Sequence, residues 1–415
     1  MTERERIADE MEDVLLHRTL GAWFPRCVED AGPFGGFHER YDRTWTPLPD
    51  PTRSLVFAAR MTWVCATMTE GGFPGAWREW TIRGVEHLRD RFHTGEGRFH
   101  WRVDTEGAPI GEHANDSVLY GHAFAIFALA AAARTVPESG AGPLAEAAFV
   151  WYESAHRDPE FPGSFEIVDA QGRPALDRAG EDELGTPYGM KSQNSPLHLL
   201  EALAELHEIA PTETVEARLR EAIRLLTDTM FRAPGRLEHQ MRRDGSPLLA
   251  PATFGHDVEA GHLVLAALAR LPGEDEWTPT ARERAGLLIR TALGDGFAVD
   301  DQERGSLGVN ANDGARVSWV QSENLLALAT MVAEGEDLMG DLTAQWAWFR
   351  DRQVDPEYGG LFGALSPEGK PLGSAEKGGP WKAAYHDTRA LLYSARLLRG
   401  ARVGEDPDRD APRGY

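Results

Sequence analysis

The feature that most restricts the fold is a regular alternation between two kinds of predicted helix. Counted along the chain, the second and every other even-numbered predicted helix is rich in Ala and Leu, as in Leu119–Ala132, and we expect these helices to be buried on most sides. Odd-numbered segments, such as Ala281–Arg290, carry charge along one side. Helical periodicity predicts twelve such segments, at roughly 4–20, 53–69, 75–92, 117–135, 142–156, 190–209, 213–230, 256–271, 278–294, 317–334, 339–353 and 381–399.

Short glycine-rich stretches between many of the helices predict β-hairpins, and two of these stretches match each other. Asp158–Phe165 is followed by Gly172–Pro174, and Asp355–Phe362 is followed by Gly369–Pro371, with the same offset in both copies. Each copy follows an odd helix and precedes an even one, which indicates an internal repeat of helix, hairpin and helix. Looser copies span residues 98–109 and 235–248.

A repeating unit of this kind cannot bury its apolar face alone, so neighbouring units must stack. Closed into a ring, twelve alternating helices make an all-α (α/α)6 barrel with short hairpins in its loops, even helices inside and odd helices outside. An open solenoid is the alternative, but the even helices are too apolar for one exposed concave face. No linker or composition shift divides the chain. We therefore expect one catalytic domain over residues 1–400 and a frayed tail at 401–415.

Composition argues against several classes of partner. The formal net charge is −23, whereas nucleic acids and anionic membranes bind basic surfaces. The N-terminus is too charged for a signal peptide, and no apolar run is long enough to predict a membrane span. Cys27 and Cys65 lack the spacing of a zinc ribbon or a disulfide framework. We expect a cytoplasmic protein, monomeric or homodimeric, that binds a small molecule rather than nucleic acid or membrane.

The even helices carry polar and aromatic residues near their N-terminal ends, where a purely structural helix would be apolar. In a ring these ends meet at one mouth, and aromatic rings with hydrogen-bonding groups around a deep cavity are typical of a sugar site. The residues expected there are Arg60, Trp63, Tyr120, His122, Asn194, His198, Glu201, His256, Glu259, Trp319, Gln321, Glu323, Trp381, Tyr385, His386 and Arg389.

His256 and Glu259 are the most suggestive of these residues. They lie three positions apart at the start of the eighth predicted helix, so they share one face of it. Burial of a titratable pair in the core lowers the stability of the fold unless the pair is solvated or has charged or hydrogen-bonding partners, and proteins keep such pairs where they have a function. The pair therefore indicates an acid–base site.

Six stretches of the chain resemble the N-acylglucosamine 2-epimerase superfamily, and within it the branch of cellobiose 2-epimerases, mannose 2-epimerases and mannose isomerases. They are Ala59–Trp63, Leu119–Ile126, Asn194–Ala202, Phe254–Ala260, Trp319–Glu323 and Trp381–His386, in the order of the family. The resemblance implies an (α/α)6 barrel and chemistry at C1–C2 of aldoses without a redox cofactor, and we expect no cofactor and no metal. It places His256 and His386 on the two acid/base histidines, and Arg60 on the active-site arginine.

The resemblance implies a sugar 2-epimerase or aldose–ketose isomerase that acts on mannose- or glucose-type aldoses through a cis-enediolate. Two histidines would remove and return the proton, since the pKa of imidazole suits both steps at neutral pH. Arg60 would stabilise the developing negative charge. Glu259 would orient His256 or raise its basicity, and His198 would assist ring opening or bind O1. The expected substrate-binding residues are Asn194, Tyr120, Trp319, Glu323, Trp381 and His122.

Other interpretations stay open at this point. The chain departs from the disaccharide enzymes at Pro196, at His122 and at Ala383–Ala384, so a cellobiose 2-epimerase is an alternative to a monosaccharide enzyme. A glycoside hydrolase on the same barrel would use paired carboxylates, here Glu259 and Glu323. A non-catalytic sugar-binding or scaffold protein is a further alternative. A metal-dependent isomerase would draw its ligands from His198, His256, Glu259 and His386.

Overall fold

The computed structural model describes residues 1–29, 35–248 and 253–404, and its helices confirm the twelve predicted segments. They are α1 (Glu3–Asp13), α2 (Leu55–Glu70), α3 (Trp77–His87), α4 (Leu119–Thr135), α5 (Ala141–Trp151), α6 (Asn194–Ile209), α7 (Glu213–Arg224), α8 (Phe254–Arg270), α9 (Thr278–Gly296), α10 (Ser318–Ala333), α11 (Met339–Trp348) and α12 (Tyr385–Leu398). Odd helices other than α9 continue directly into π-helical turns, at Val14–Leu20, Leu88–Phe92, Tyr152–His156, Leu225–Thr229 and Phe349–Gln353. Short helices span Gly21–Trp23 and Pro137–Ser139.

Short antiparallel strand pairs join the helices, as the glycine-rich stretches predict. In several pairs, one strand lies just before an even helix and the other lies in the hairpin after the next odd helix. Such a pair joins the start of the even helix to that hairpin. The pairs are β1 (Thr52–Ser54) with β2 (Arg102–Asp104), β3 (Asp116–Val118) with β4 (Ile167–Asp169), β5 (Lys191–Ser192) with β8 (Gln240–Met241), β6 (Phe231–Arg232) with β7 (Arg236–Leu237), β9 (Phe297–Val299) with β10 (Gly305–Leu307), and β11 (Arg316–Val317) with β12 (Ala364–Leu365).

The predicted starts of several even helices lie too early. Residues 53–54, 117–118 and 191–192 belong to strands, and α12 begins at Tyr385 rather than at residue 381. At α2 the extended backbone of Ser54 ends the strand, and its Oγ accepts the Phe57 N–H at 3.3 Å as an N-cap. These helices begin where the strand that pairs with a distant hairpin ends. Helical periodicity does not predict such strand pairing.

The even helices form the inner layer and pack in a closed cycle. Contacts run from α2 to α4, α6, α8, α10 and α12 in turn, and α12 packs back against α2. The odd helices α3, α5, α7, α9 and α11 each pack on the even helix that precedes them. Every residue of α4 from Leu119 to Ala132 is buried. The first and last of the inner helices, α2 and α12, are therefore in contact.

The two matched hairpin sequences have matched structures. Asp158 accepts hydrogen bonds from Lys191 Nζ at 2.9 Å and Arg243 Nε at 2.8 Å. Asp355 accepts them from Lys377 Nζ at 2.8 Å and Arg43 Nε at 2.9 Å. Burial acts to raise the pKa of each carboxyl, but the two neighbouring cations outweigh it and hold the pKa well below the usual range. Each aspartate therefore ties its hairpin to two other segments.

Replacing Asp355 by asparagine is expected to lower the free energy of unfolding by about 2–3 kcal/mol, because buried Lys377 then loses its charged partner. Urea denaturation at neutral pH measures the change, and Glu357→Gln, at an exposed neighbour of Arg43, is the control. The folded-state pKa is depressed, so this stabilisation is present above the unfolded pKa and is lost as the pH falls. Equal stability of the two variants would contradict the prediction.

The C-terminal end of the described chain is packed rather than frayed. Val403 is buried, and Gly404 O accepts a hydrogen bond from Arg270 Nε on α8 at 3.3 Å. Residues 405–415, the remainder of the predicted tail, lie outside the described residues. Across the described ranges, none of the helices combines the length and the apolar character needed to cross a membrane.

Candidate active site

The N-terminal ends of the even helices surround a cavity of about 230 Å³. The residues predicted to be catalytic or to bind substrate all line it, except Glu323 and His122, so the structure brings together residues that lie far apart in sequence. The other residues expected at the mouth do not line it, namely Trp63, Glu201, Gln321, Tyr385 and Arg389. The lining residues are Arg60, Tyr120, Glu183, Leu184, Asn194, His198, His256, Glu259, Trp319, Trp381 and His386. Trp381 is 41% exposed and lies at the open side, whereas Tyr120 and Glu259 are buried.

His386 is held by a carboxylate behind it. Its Nδ1 lies 2.6 Å from Oε1 of Glu323, which comes from the neighbouring helix α10. Burial lowers the pKa of His386 to about 3, even though Glu323 favours the charged ring. A neutral ring that donates its Nδ1–H to Glu323 keeps a lone pair on Nε2. His386 therefore presents the cavity with a proton acceptor of fixed orientation.

His256 reaches the same cavity from the first turn of α8. Its Nδ1 lies 2.5 Å from Thr253 Oγ1, and burial lowers its pKa to about 3, with the neighbouring histidines adding to the effect. The Trp319 ring centroid lies 4.8 Å from that of His256 and 5.9 Å from that of His386. Trp319 thus contacts both histidines, and two neutral imidazoles approach one aromatic wall.

Glu259 does not orient His256, contrary to the prediction from their spacing. Its Oε1 accepts a hydrogen bond from Arg389 Nη2 at 2.5 Å, while His256 has Thr253 as its partner. A buried carboxylate needs a positive charge, and a neutral imidazole does not supply one. Arg389, from helix α12, supplies that charge.

Arg389 lies at the centre of three buried carboxylates. Its Nη1 is 2.6 Å from Glu201 Oε2, and its Nη2 is 2.8 Å from Glu323 Oε1 as well as close to Glu259. Burial acts to raise the pKa of Glu323, but Arg389 and two histidine hydrogen bonds outweigh it and hold the pKa far below the usual range. Burial and the negative charge of Glu323 raise the pKa of Glu259. Glu323 is thus the ionised partner, and Glu259 is the carboxyl that protonates first.

Glu259, Glu323 and His386 present three ligand atoms within 4.8 Å of one another, a spacing that also suits a metal ion. Arg389 donates to both carboxylates and supplies positive charge in that position. His198, another residue of the predicted metal set, directs its Nδ1 to Glu201 Oε1 at 2.6 Å. The arrangement therefore fits an arginine-neutralised acid–base site better than a divalent-ion site.

Arg60 lies in the part of the cavity wall that α2 forms beside α12. Its Nη2 donates to the Tyr120 hydroxyl at 3.0 Å and its Nη1 donates to the Trp381 carbonyl at 2.8 Å. The Tyr120 ring in turn packs edge-on against His198, with centroids 4.8 Å apart. A guanidinium has five N–H groups, so donors remain for negative charge that develops in the cavity.

The structure corrects the prediction for His122. It follows Tyr120 by two positions and so points about 200° away around α4. Its Nε2 lies 2.8 Å from the Ala148 carbonyl of α5, and its ring centroid lies 5.6 Å from that of His156. Burial lowers its pKa to about 4. His122 therefore packs between the inner and outer layers and does not contact the cavity.

Glu183 and Leu184 are cavity residues that the sequence did not predict. They lie in the long connection between β4 and β5, where no periodic pattern indicates which side chains turn inward. Glu183 Oε2 accepts a hydrogen bond from Arg102 Nη2 at 2.8 Å, which anchors this connection to β2. The sequence predicts Arg389 and Glu201 as polar residues of inner helices but does not indicate that they form an ion pair, because this pair depends on how α6 and α12 are placed in the fold.

Comparisons with known proteins identify the family of the chain. The family model for N-acylglucosamine 2-epimerase matches residues 35–390. A cellobiose 2-epimerase of Bacteroides fragilis is 24% identical over 398 residues, which cover 94% of this chain and 98% of that protein. The solved structure of cellobiose 2-epimerase from Spirochaeta thermophila is 28% identical, with a TM-score of 0.81 over 95% of this chain and 97% of that one.

A D-mannose isomerase structure has a TM-score of 0.78 at 19% identity, covers 94% of this chain and 97% of that one, and shows likeness of fold alone. The family model extends over most of the chain and includes the even helices that line the cavity. The resemblance predicted from the sequence is therefore confirmed, and the chain belongs to the N-acylglucosamine 2-epimerase family.

Proposed function

We propose that the protein is a cofactor-independent carbohydrate isomerase that inverts or moves hydrogen at C2 of a mannose- or glucose-type aldose. The observation that carries the proposal is a pair of neutral histidines, His256 and His386, which line one cavity together with Arg60. The family relatives named as cellobiose 2-epimerases, and the fold of a D-mannose isomerase, support the same class of reaction. We also infer that residues 1–400 form one (α/α)6 barrel, because the inner helices close a cycle.

The chemistry follows from the positions of these groups. In the open-chain sugar one histidine accepts the C2 proton, the C2–H electron pair becomes the C1–C2 double bond, and O1 becomes negatively charged. Arg60 is placed to stabilise that charge. The second histidine becomes an acid once it has taken up a proton from solvent, and delivery of this proton to the opposite face of C2 gives the epimer, while the first histidine returns its proton to solvent. Delivery of a proton to C1, with transfer of the O2 proton to O1, gives the ketose instead. His198, oriented by Glu201, is placed to move a proton during ring opening.

The site supports a glycoside hydrolase less well. Catalytic carboxylates in such enzymes flank the scissile bond from two sides. Glu259 and Glu323 instead share Arg389 and lie within reach of each other, and Glu323 is fully buried behind His386. A cellobiose 2-epimerase is the second candidate for this chain, because its relatives carry that name and Trp381 is exposed at the mouth, where a second sugar ring would lie.

Incubation with mannose, glucose, fructose and cellobiose in D2O containing EDTA tests the proposal. We expect deuterium at C2 of the recovered aldose and formation of the epimer or ketose, because the proton passes through an exchangeable imidazole. NMR identifies both the product and the site of labelling. Boiled enzyme is the control for spontaneous exchange. Hydrolysis of cellobiose without labelling, or activity that EDTA abolishes, would replace this proposal by the hydrolase or the metal-dependent isomerase, respectively.

A further inference from the structure

His262 shares the carboxylate that holds His386. It lies on α8, three positions after Glu259, and its Nε2 is 2.7 Å from Glu323 Oε2. The other oxygen, Oε1, is 2.6 Å from His386 Nδ1 and 2.8 Å from Arg389 Nη2. His262 and Glu323 are only 3% and 0% exposed, so water does not replace this contact. One buried carboxylate thus joins two imidazoles, only one of which lines the catalytic cavity.

The other side of His262 belongs to a second cavity at the opposite end of the ring. This cavity, of about 100 Å³, is formed by the C-terminal halves of the even helices and has mainly apolar walls, among them Trp63, Phe127 and Leu326. His262 forms part of its wall. The imidazole therefore stands between Glu323 and a space on the side away from the catalytic cavity.

We propose that His262 is a positioning residue for the acid/base His386 and acts through Glu323. The inference deepens the proposed isomerase function and rests on it. Glu323 is ionised, so it only accepts hydrogen bonds and both imidazoles must donate to it. With Oε2 held by His262, the carboxylate cannot rotate away from His386. Its Oε1 then fixes the proton of His386 on Nδ1 and keeps Nε2 as the base.

The hydrogen bond from His262 also weakens the hold of Glu323 on a protonated His386. A carboxylate that already receives a donor on Oε2 has less negative charge to offer through Oε1. His386 therefore stays neutral and ready to accept a proton. The charged and titratable groups that face His386 are Glu323, Glu259, Arg60, Arg389 and His256, and those that face His262 are Glu323, Arg389 and Glu201.

Three variants separate positioning from packing. His262→Phe fills the same space without an N–H donor, and His262→Gln restores a donor near the position of Nε2. Thr330→Val changes a different wall residue of the second cavity and is the matched control. Two readouts are used for each variant. The first is the pH dependence of kcat/KM for exchange at C2, and the second is the proton NMR signal of the His386 Nδ1–H, assigned with ring-labelled histidine.

We expect His262→Phe to lower kcat/KM roughly tenfold and to move the acid limb of its pH profile upward by about one unit. The His386 Nδ1–H signal should shift, and His262→Gln should restore both properties towards wild type, while Thr330→Val changes neither. Loss of activity in His262→Phe with an unshifted limb and an unshifted NMR signal would overturn the proposal, as would failure of His262→Gln to rescue. The NMR signal does not depend on turnover, so a wild-type protein without isomerase activity would refute the proposed function and still leave the contact testable.

Discussion

Replacement of His386 by asparagine is expected to lower the rate of deuterium incorporation at C2 by about 10²–10⁴-fold, the usual contribution of a general acid–base residue. Asparagine removes the Nε2 base but retains an amide that can donate to Glu323 from about the position of Nδ1. The buried contact is therefore largely preserved, and the loss reports on proton transfer rather than on folding. Mass spectrometry of the recovered sugar measures the rate, and thermal denaturation checks the fold.

The control is His17→Asn, at an exposed histidine of the π-helical turn after α1, which should exchange at the wild-type rate. The variant His256→Asn tests whether formation of the epimer requires a second histidine. It should still exchange the C2 proton of one epimer through His386 but should form little of the other epimer, because the second base is missing. Wild-type rates of epimer formation in either active-site variant would rule out the two-histidine mechanism.

Replacement of Arg389 by methionine is expected to destabilise the protein by about 3–5 kcal/mol, the typical cost of removing one partner of a buried ion pair. Arg389 is 3% exposed and is the shared cation of Glu201, Glu259 and Glu323. Methionine fills most of the volume of the arginine stem, so the loss reports on charge rather than on a cavity. Urea denaturation at neutral pH measures it.

The control for Arg389 is Arg399→Met, just after α12, whose partners Asp9 and Glu12 are on the surface; its expected cost is about 0–1 kcal/mol. The pH dependence gives a second check. Arg389 depresses the pKa of Glu201 and Glu323, so its stabilisation is present above their unfolded pKa values and is lost as the pH falls. The stability difference between wild type and Arg389→Met should therefore shrink in acid, and a difference that grows in acid would contradict this account.

Local sequence patterns predict much of the architecture. The alternation of apolar and amphipathic segments predicted the twelve helices, because the burial of each helix face leaves a periodic pattern in its own residues. The matching sequence motifs that begin at Asp158 and Asp355 predicted a repeat, and both aspartates have equivalent lysine and arginine partners. Helix starts were less accurate, because strand pairing with distant hairpins ends the extended segment.

The site was predicted as a set of residues, but their partners were not. Tyr120 and His122 are both polar residues on one apolar helix, and the sequence predicted both at the site. Only Tyr120 faces the cavity, because the packing of α4 between the inner and outer layers determines which side of the helix faces inward. Glu183 and Leu184 gave no signal, since an irregular connection has no period.

The sequence by itself determined the helices, the family and most of the polar residues at the mouth, because these follow from periodicity and from short motifs. Only the tertiary structure decided which charges meet. Glu259 lies three residues from His256 but bonds to Arg389, and Glu323 rather than Glu259 holds His386. The physical reason is that a buried carboxylate takes the strongest donor that the packed helices bring near it, and closure of the ring, not distance along the chain, determines which donor that is.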